Sequence, residues 1–523
     1  MSPSPFLYVP LHLRSYFSLL RGCRSPEELC SYAARAGYPA AGLADIGNLY
    51  GAVRFITAAR REGIKPVIGA AIEYRDEYLF TAYCLSKRGF GRLNRIVTGL
   101  FTEEEFDPLA FLLKEGWEGL TVISPRRDVL SRLGSAEGAG PVWDPGQASA
   151  AAPPGLYAAL FYGVPFRSLA AWAAERKIPV CAVNGGVALD RSDPALYRLL
   201  RAVDRCTAVD RLEGEPGGGN LGEKDRIVSA AEMGRFFSAL PEALENAARI
   251  AAECEGELFP GGYVFPRFQG LTEEEAFGRL EKLCLAGIDR RYGTEGNAGT
   301  PPGRPGTVKG PVGAVAVPAA AVGGPPAAAV PVRVGGAFAS RAAVLERLDY
   351  ELRIVRRKCF SGYFLVVHDI ISRFPRTCGR GSSAASIISY LLGITHVDPL
   401  KHNLFFERFL NMGRTDPPDI DVDFPWDERD RVLASVFETH RGRAGMVADH
   451  VTFGPRSCYR EPAKAFGMTE EEIGRIIRAV RLGDTGQVPP YVMRAARRLR
   501  GIPRHIGMHP GGVVITPGPI TDY

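Results

Sequence analysis

The chain has 523 residues, too many for one ordinary domain, so we expect two to four domains. Its formal net charge of +6 is compatible with a polyanionic partner. No run of about 18 apolar residues occurs, so the sequence predicts no membrane span, and the N-terminus does not read as a signal peptide. The ten cysteines lack C-x-x-C pairs and framework spacing, which argues against disulfides and zinc sites and favours the reducing cytoplasm.

The N-terminal third alternates strand-like and helix-like segments. "FLYVPLHL" predicts a strand, and "SPEELCSYAARAG" a helix with Ser25 as N-cap, Pro26 at its first position and Glu28 closing a capping box. "PAAGLAD" and "IKPVIGAAIEY" are predicted strands on either side of a second helix, "YGAVRFITAARREG". This β-α-β-α-β order predicts parallel strands in a barrel or an open sheet. Such units continue to about residue 255, with "GLTVIS" and "IPVCAVNG" as further strands.

The second half of the chain differs in composition. Residues 294–337 are almost wholly Gly, Pro, Ala and Val, which is typical of a flexible low-complexity insertion. The apolar periodicity of "SRAAVLERLDYELRIVRRKCF" predicts a helix, and "GYFLVVHDII" a buried helix. Residues 427–505 look helical and rich in arginine, and "GGVVITPG" predicts a closing strand.

The stretch "PPDIDVDF" carries three aspartates at alternate positions. Side chains at i, i+2 and i+4 of a strand share one face, so Asp419, Asp421 and Asp423 project together while the apolar residues between them pack behind. Three like charges need compensation, and oxygen-only ligands favour Mg²⁺, Mn²⁺ or Ca²⁺. The alternative for a generic D-x-D is an acidic strand end or turn in solvent.

A glycine-serine loop precedes the aspartates by about 37 residues, in "CGRGSSAASIISYLLG". Gly379 and Gly381 flank Arg380, Ser382 follows, and the sequence predicts that a helix then begins. A helix N-terminus with nearby glycines, a hydroxyl and a guanidinium is suited to a phosphate group. Alone, the motif is more typical of an ordinary Gly-rich turn. Together with D-x-D on a strand, it indicates a metal-dependent nucleotidyl transferase.

These motifs resemble those of the bacterial DNA polymerase III α subunits, the C-family polymerases. The similarity includes "YFLVVHDI", "GRGSSAAS", "LFFERFLN", "PPDIDVDF", "HVTFG" and "HPGGVVITPGPITDY", and covers nearly the whole chain outside 294–337. It implies that Asp419 and Asp421 are catalytic and bind Mg²⁺, with Mn²⁺ as a substitute. It also implies that Gly379 to Ser382 bind the incoming dNTP. Asp423 is then a supporting carboxylate. "LLRGCRSPEEL" resembles the error-prone branch of the family.

The chain departs from the family pattern in its loop and at its end. Thr377 and Ala385 stand where glycines are usual, so we expect small backbone adjustments. The family continues past Tyr523 into a strand with a third catalytic aspartate, followed by further DNA-binding regions. The resemblance therefore implies an N-terminal part that needs a C-terminal polymerase segment as partner and cannot polymerise alone.

The N-terminal units resemble the polymerase-and-histidinol-phosphatase (PHP) domain, whose active members hold several metals. Of eight histidines, only His12 precedes residue 368, too few for a multi-metal imidazole site. His12 and Asp45 remain at ligand positions, where they are predicted to be hydrogen-bonding remnants. Other ligand positions hold non-ligating residues: Arg14, Tyr16, Ile46, Ala71, Gly185 and Val187. The resemblance implies a non-catalytic scaffold, with proofreading by a separate exonuclease subunit docked there.

A basic helix near the C-terminal end is the candidate DNA contact. Arg494, Arg497 and Arg498 share one helical face, Arg504 follows, and no acidic residue occurs between positions 485 and 521. This spacing suits contacts with the phosphates of primer–template DNA, which is where the family's thumb lies. The alternative is a solvated basic helix face.

The fold class we predict is α/β and α+β in several domains, with a PHP-type β/α barrel, a nucleotidyltransferase-like palm and a helical thumb. The predicted domains are 1–262 (PHP), 263–430 (palm, interrupted at 294–337), 431–508 (thumb) and 509–523 (a returning palm strand). The predicted function is template-directed DNA polymerisation from dNTPs with two Mg²⁺ ions, in a replisome. The alternatives are a non-catalytic DNA- or nucleotide-binding remnant and a PHP phosphoesterase or 3′–5′ exonuclease.

Overall fold

A computed structural model describes residues 8–135, 154–190, 192–212, 221–222, 225–259, 261–293, 340–414 and 418–523. The predicted low-complexity insertion lies outside these residues, as does Pro417 at the start of the aspartate motif. By internal contacts the chain divides into two compact units. The first unit comprises 1–261, 446–512 and 519–523, and the second comprises 262–445 and 513–518. The first unit ends near residue 262 and then resumes at 446, so it includes most of the segment predicted as the thumb.

A six-stranded sheet forms the centre of the first unit. Its strands are β1 (Ala40–Ile46), β2 (Lys65–Tyr74), β3 (Glu77–Cys84), β4 (Leu120–Ser124), β5 (Leu156–Phe161) and β6 (Val180–Val183). They lie in sequence order across the sheet. The strands are almost wholly buried, as expected for a sheet covered on both faces.

The sheet is mixed, which corrects the expectation of parallel strands throughout. β1/β2, β4/β5 and β5/β6 are parallel, but β3 runs antiparallel to both β2 and β4. The cause is a tight hairpin at Arg75 and Asp76, whose φ angles of 53° and 64° suit a two-residue turn. The predicted first strand is an extended segment with one bridge, from Leu13 to Leu43.

Helices surround the sheet of the first unit. They are α1 (Pro26–Arg35), α2 (Ala52–Arg61), α3 (Lys87–Thr102), α4 (Pro108–Glu115), α5 (Arg127–Gly134), α6 (Arg167–Glu175), α7 (Asp193–Asp204), α8 (Ala230–Phe236) and α9 (Glu242–Glu253). The start of α1 confirms the predicted cap: the Ser25 hydroxyl accepts from the Glu28 N–H, and the Glu28 carboxylate accepts from the Ser25 N–H.

The second unit is mainly helical around one apolar core. Its helices are α10 (Glu273–Tyr292), α11 (Arg341–Arg357), α12 (Ser361–Arg373), α13 (Ile387–Leu392) and α14 (Arg429–Thr439). Its short strands β7 (Cys378–Arg380) and β8 (Asp421–Asp423) pair antiparallel. The helices predicted from "SRAAVLERLDYELRIVRRKCF" and "GYFLVVHDII" are thus confirmed as α11 and α12.

Residues 427–505 are not helical throughout, which corrects a second expectation. Between α14 and α15 (Ser457–Ala465) lies the strand β9 (Ala444–Thr452), which pairs with β10 (Pro503–Ile515). β9 has no regular alternation of apolar and polar residues, with valines only at Val447 and Val451, so local periodicity did not separate it from the surrounding arginine-rich helices. Two more helices complete this part, α16 (Glu470–Arg481) and α17 (Pro490–Leu499). Phe453 and Leu499 pack with Leu196 and Leu199 of α7 in one cluster of the first unit.

The described residues contain no helix that is both long enough and apolar enough to span a membrane. All ten cysteines are unpaired in the structure, and seven of them are buried.

Candidate functional site

The β7–β8 ladder brings the glycine loop and the aspartate motif together. Arg380 lies opposite Asp421 and Cys378 opposite Asp423. Asp419, just before β8, and Asp421 and Asp423 within it are all exposed. The alternate residues Ile420, Val422 and Phe424 are partly buried and pack against the core of the second unit. The predicted shared face of the three aspartates is therefore confirmed, although the strand itself is short.

The two glycines of the loop have different structural roles. Gly379 is buried, and its N–H donates to the carbonyl of Ile394 over 2.8 Å, so it is not free for a phosphate. A Cβ there would lie 2.3 Å from that carbonyl oxygen, which only glycine avoids. Gly381 is exposed with φ at +70°, and a Cβ there would come within 3.3 Å of Asp421 Oδ2. Gly381 thus lets the loop backbone approach the aspartate face.

An ion pair crosses the same ladder. Arg380 Nη2 lies 2.9 Å from Asp423 Oδ1, with 67% and 53% of the two side chains exposed. Pairs at this exposure contribute about 0–1 kcal/mol, so a phosphate group competes for this guanidinium at little cost. Asp423 therefore supports Arg380, which leaves Asp419 and Asp421 as carboxylates with no ion-pair partner among the described residues.

The expectation of an open helix N-terminus directly after Ser382 is wrong. Residues 381–385 form a 3₁₀ turn, and α13 begins only at Ile387 with Ser386 as N-cap. The buried carboxylate of Glu351 accepts from the Ser386 hydroxyl (2.7 Å) and the N–H groups of Ile387 (3.0 Å) and Ile388 (3.4 Å). An internal anion already occupies this helix end, because its dipole and free N–H groups favour negative charge.

Arg347 completes this buried network, which sequence reasoning missed. Its Nε lies 2.7 Å from Glu351 Oε1, and its Nη2 donates to the carbonyls of Ala385 (3.1 Å) and Leu404 (3.0 Å). Burial raises the pKa of Glu351, against the opposing effect of Arg347. The pair anchors the chain just beyond the glycine loop. The signal in the sequence was an Arg and a Glu four residues apart on α11.

Tyr363 is a second residue that sequence reasoning left without a role. It is half-buried on α12, beside the aspartate motif. Burial raises the pKa of Tyr363, Asp419 and Asp421 raise it further, and a hydrogen bond with the backbone of Ile420 opposes them. The Tyr363 hydroxyl therefore lies beside the backbone of Ile420, between the two candidate metal ligands.

The carboxylates of the aspartate motif form an open set of oxygen donors. Among the described residues, no group of three or more His, Cys, Asp or Glu side chains is arranged as a metal cage. Mg²⁺ does not require one, because it usually keeps several waters and binds one or two carboxylates together with substrate phosphates. Two exposed aspartates beside a basic loop fit that mode of binding.

The donors at the PHP ligand positions fit a multi-metal centre poorly. His12 is fully buried, with Nδ1 3.2 Å from Thr81 Oγ1 and Nε2 3.1 Å from Arg14 Nη2. Burial, and secondarily Arg14, lowers the pKa of His12. Asp45 accepts from the Ser15 N–H (2.8 Å) and from the hydroxyls of Ser15 and Ser18 (both 2.7 Å). Both remnants are hydrogen-bonded core residues, and a guanidinium stands beside the histidine where a metal would need a free nitrogen.

The four arginines of the predicted DNA contact separate into two pairs. Arg494 and Arg497 are exposed on α17. Arg498 Nη2 instead lies 2.7 Å from Asp193 Oδ1, a carboxylate with no exposed area that Arg24 also holds at 2.8 Å. Arg504 lies 3.4 Å from Glu461. The structure therefore gives Arg498 and Arg504 protein partners, and leaves Arg494 and Arg497 facing solvent.

Comparisons with known proteins match both parts of the chain. The model of the PHP domain matches residues 10–145, and that of the bacterial DNA polymerase III alpha NTPase domain matches 333–523. A DNA polymerase III subunit alpha from Bacillus subtilis is 29% identical over 98% of this chain and 45% of its own. An error-prone DNA polymerase from Mycobacterium bovis is 30% identical, and the match covers 99% of this chain and 46% of that polymerase. An error-prone DNA polymerase from Anaeromyxobacter is 30% identical, and the match covers 100% of this chain and 52% of that polymerase.

The chain thus spans about half the length of the curated relatives that it matches. The matches run through the glycine loop, the aspartate motif and the N-terminal sheet, which agrees with the predicted fold class. The chain is thus similar along its length to bacterial DNA polymerase III alpha subunits and error-prone DNA polymerases, and it carries a PHP domain at its N-terminal end and a polymerase III alpha NTPase domain after it.

Proposed function

We propose that this chain supplies the metal-binding and dNTP-binding part of a template-directed DNA polymerase. The observation that carries the proposal is the β7–β8 ladder, which sets the Gly381 loop and Arg380 against Asp421. A polymerase must hold a triphosphate beside metal-binding carboxylates, and this ladder joins those two elements through backbone hydrogen bonds.

Within the proposal, Asp419 and Asp421 hold two Mg²⁺ ions, for which Mn²⁺ substitutes. Bound metal supplies charge neutralisation for the triphosphate and for the leaving pyrophosphate. Arg380 binds the incoming triphosphate by exchanging its weak pair with Asp423 for a phosphate oxygen. Ser382 and the backbone of Gly381 complete the loop, while Gly379 keeps the loop packed against Ile394.

Primer–template DNA is the proposed macromolecular substrate. Arg494 and Arg497 contact its phosphates, because they are exposed and free of ion pairs among the described residues. Arg498 and Arg504 serve mainly to fix this region through Asp193 and Glu461. Contacts of this kind confer affinity without reading sequence.

The PHP domain acts in this proposal as a scaffold without hydrolytic activity. The hydrogen bonds of His12 and Asp45 support this role over that of a phosphoesterase or exonuclease. The remaining partners are a proofreading exonuclease subunit, other replisome subunits and the part of the polymerase that completes the relatives' length. The compartment is the cytoplasm, where bacterial chromosomal DNA and dNTPs meet.

Primer extension with dNTPs and Mg²⁺ tests the proposal. The chain is assayed alone and mixed with the part of the Bacillus subtilis alpha subunit that it does not match. We expect extension in the mixture, lost with Asp421→Ala and kept with Asp430→Ala, an aspartate of the same unit that is 88% exposed. Extension that survives Asp421→Ala would contradict the assignment. Absence of extension in every mixture would favour the non-catalytic remnant.

A further inference from the structure

Trp426 is the most exposed large apolar side chain among the described residues, at 90%. It stands on a turn that is held from both sides. The Glu428 N–H donates to the Pro425 carbonyl over 3.0 Å. The Arg376 guanidinium lies 3.4 Å from the Asp427 carboxylate and 3.5 Å from that of Glu428. The indole is therefore presented to solvent by an ordered turn.

The position of this indole relates it to the candidate site. Trp426 follows Asp423, the last residue of β8, by three positions. Three residues span at most about 10 Å, so a ligand on the aspartate face lies within reach of the ring. No ring–ring or cation–π contact to Trp426 occurs within the described part of the chain, so both faces of the indole are available.

The surroundings favour a nucleobase over a protein segment. The residues that follow Trp426, from Asp427 to Arg431, are all charged, and all of them except Glu428 are exposed. The centre of a protein–protein interface is depleted of such charges. A base instead needs one flat ring face and tolerates charged groups at the edge, because its own phosphate pairs with nearby guanidinium groups.

We propose that Trp426 is a stacking platform for an unpaired nucleobase, carried either by single-stranded DNA or by a free nucleotide. This inference rests on the proposed polymerase function, since it assumes a nucleic-acid ligand on the aspartate face. A base within a duplex is already stacked on both sides, so the unpaired base is the form that gains from the indole.

Tryptophan emission tests the inference on the chain itself. The Trp426 signal is the difference between the wild type and Trp426→Ala. The ligands are oligo(dT) of about 12 nucleotides, an abasic oligonucleotide of equal length, and dTTP. We expect oligo(dT) to quench the Trp426 signal and Trp426→Ala to weaken oligo(dT) binding about tenfold. Binding of the abasic strand stays unchanged, and Trp426→Phe retains most of the affinity for oligo(dT).

Control experiments distinguish failure of this inference from failure of the proposed polymerase function. Phe101→Ala removes another exposed aromatic, 67% exposed, and leaves the affinity unchanged. Quenching by dTTP alone assigns the base to a free nucleotide and supports the platform. Equal oligo(dT) binding by the wild type and Trp426→Ala overturns the inference while DNA binding stands. If neither strand binds, the proposed DNA contact fails too. If the Trp426 emission is quenched only by the part of the Bacillus subtilis alpha subunit that this chain does not match, then Trp426 is a protein contact and the inference is overturned.

Discussion

The assignment of Asp45 as a buried hydrogen-bonding residue predicts an unusual pH dependence of stability. Asp45 has no exposed area, and burial raises its pKa to about 6, although hydrogen bonds from Ser15 and Ser18 act in the opposite direction. In Asp45→Asn the side chain keeps its size and loses its charge. The two serine hydroxyls rotate to accept or donate as needed, so we expect the fold to be retained.

The sign and size of the effect follow from the pKa. Because the folded pKa of Asp45 lies above the unfolded value of 3.8, the folded state binds the proton more tightly, and stability falls as pH rises through this window. The full difference of about 2 pKa units corresponds to about 3 kcal/mol. Between about pH 5 and about pH 7.5 the loss amounts to about 1.4 kcal/mol.

Urea unfolding of the wild type and Asp45→Asn at these two pH values measures the effect. We expect the wild type to lose about 1.4 kcal/mol more than the variant as the pH rises. Other titrating groups cancel in the difference, and added EDTA or Zn²⁺ changes nothing. A metal-bound carboxylate has a lowered pKa, so the opposite sign, or a difference that depends on metal, would refute the scaffold assignment.

The remaining predictions concern both units. Arg497→Ala reduces the salt slope of DNA binding by about 1, measured by fluorescence anisotropy. Arg498→Ala leaves that slope unchanged and lowers the free energy of unfolding by about 2 kcal/mol, because the buried Asp193 loses a partner; the reverse pattern would contradict these roles. Glu351→Gln destabilises the second unit by about 3 kcal/mol in urea, because Arg347 loses its partner. Gly381→Ala weakens dATP·Mg²⁺ binding in calorimetry, because alanine in this left-handed backbone conformation costs about 1 kcal/mol of strain in the loop that binds the triphosphate.

The sequence predicted elements that depend on local signals. The capping box of α1 and the alternation of Asp421 with Val422 both follow from residues adjacent in the chain. The face shared by the aspartates was predicted for the same reason. Their pairing with the glycine loop is non-local, and before the structure it was indicated by the combination of the two motifs and by the resemblance to known polymerases.

Features that depend on distant contacts were missed or misassigned. The anion at the start of α13 comes from Glu351, more than thirty positions earlier, so the local motif read as an open phosphate site. Arg498 has the same helical spacing as Arg494, and only the fold brings Asp193 beside it. The direction of β3 depended on the turn at Asp76, whose residues have no strong hairpin signature. For α13 and for Arg498, a long-range contact overrode a sound local pattern, whereas for β3 a short turn with a weak signature decided the direction.

Binding of Mn²⁺ and dATP to this chain is the most direct test of the central claim, because it needs no other polypeptide. Electron paramagnetic resonance measures the bound Mn²⁺ with and without dATP. We predict that dATP increases Mn²⁺ binding, and that Asp419→Asn and Asp421→Asn abolish the increase while Asp430→Asn leaves it intact. Equal binding by the wild type and both variants, or no increase in the wild type, would contradict the claim that these aspartates hold the metal beside a bound triphosphate.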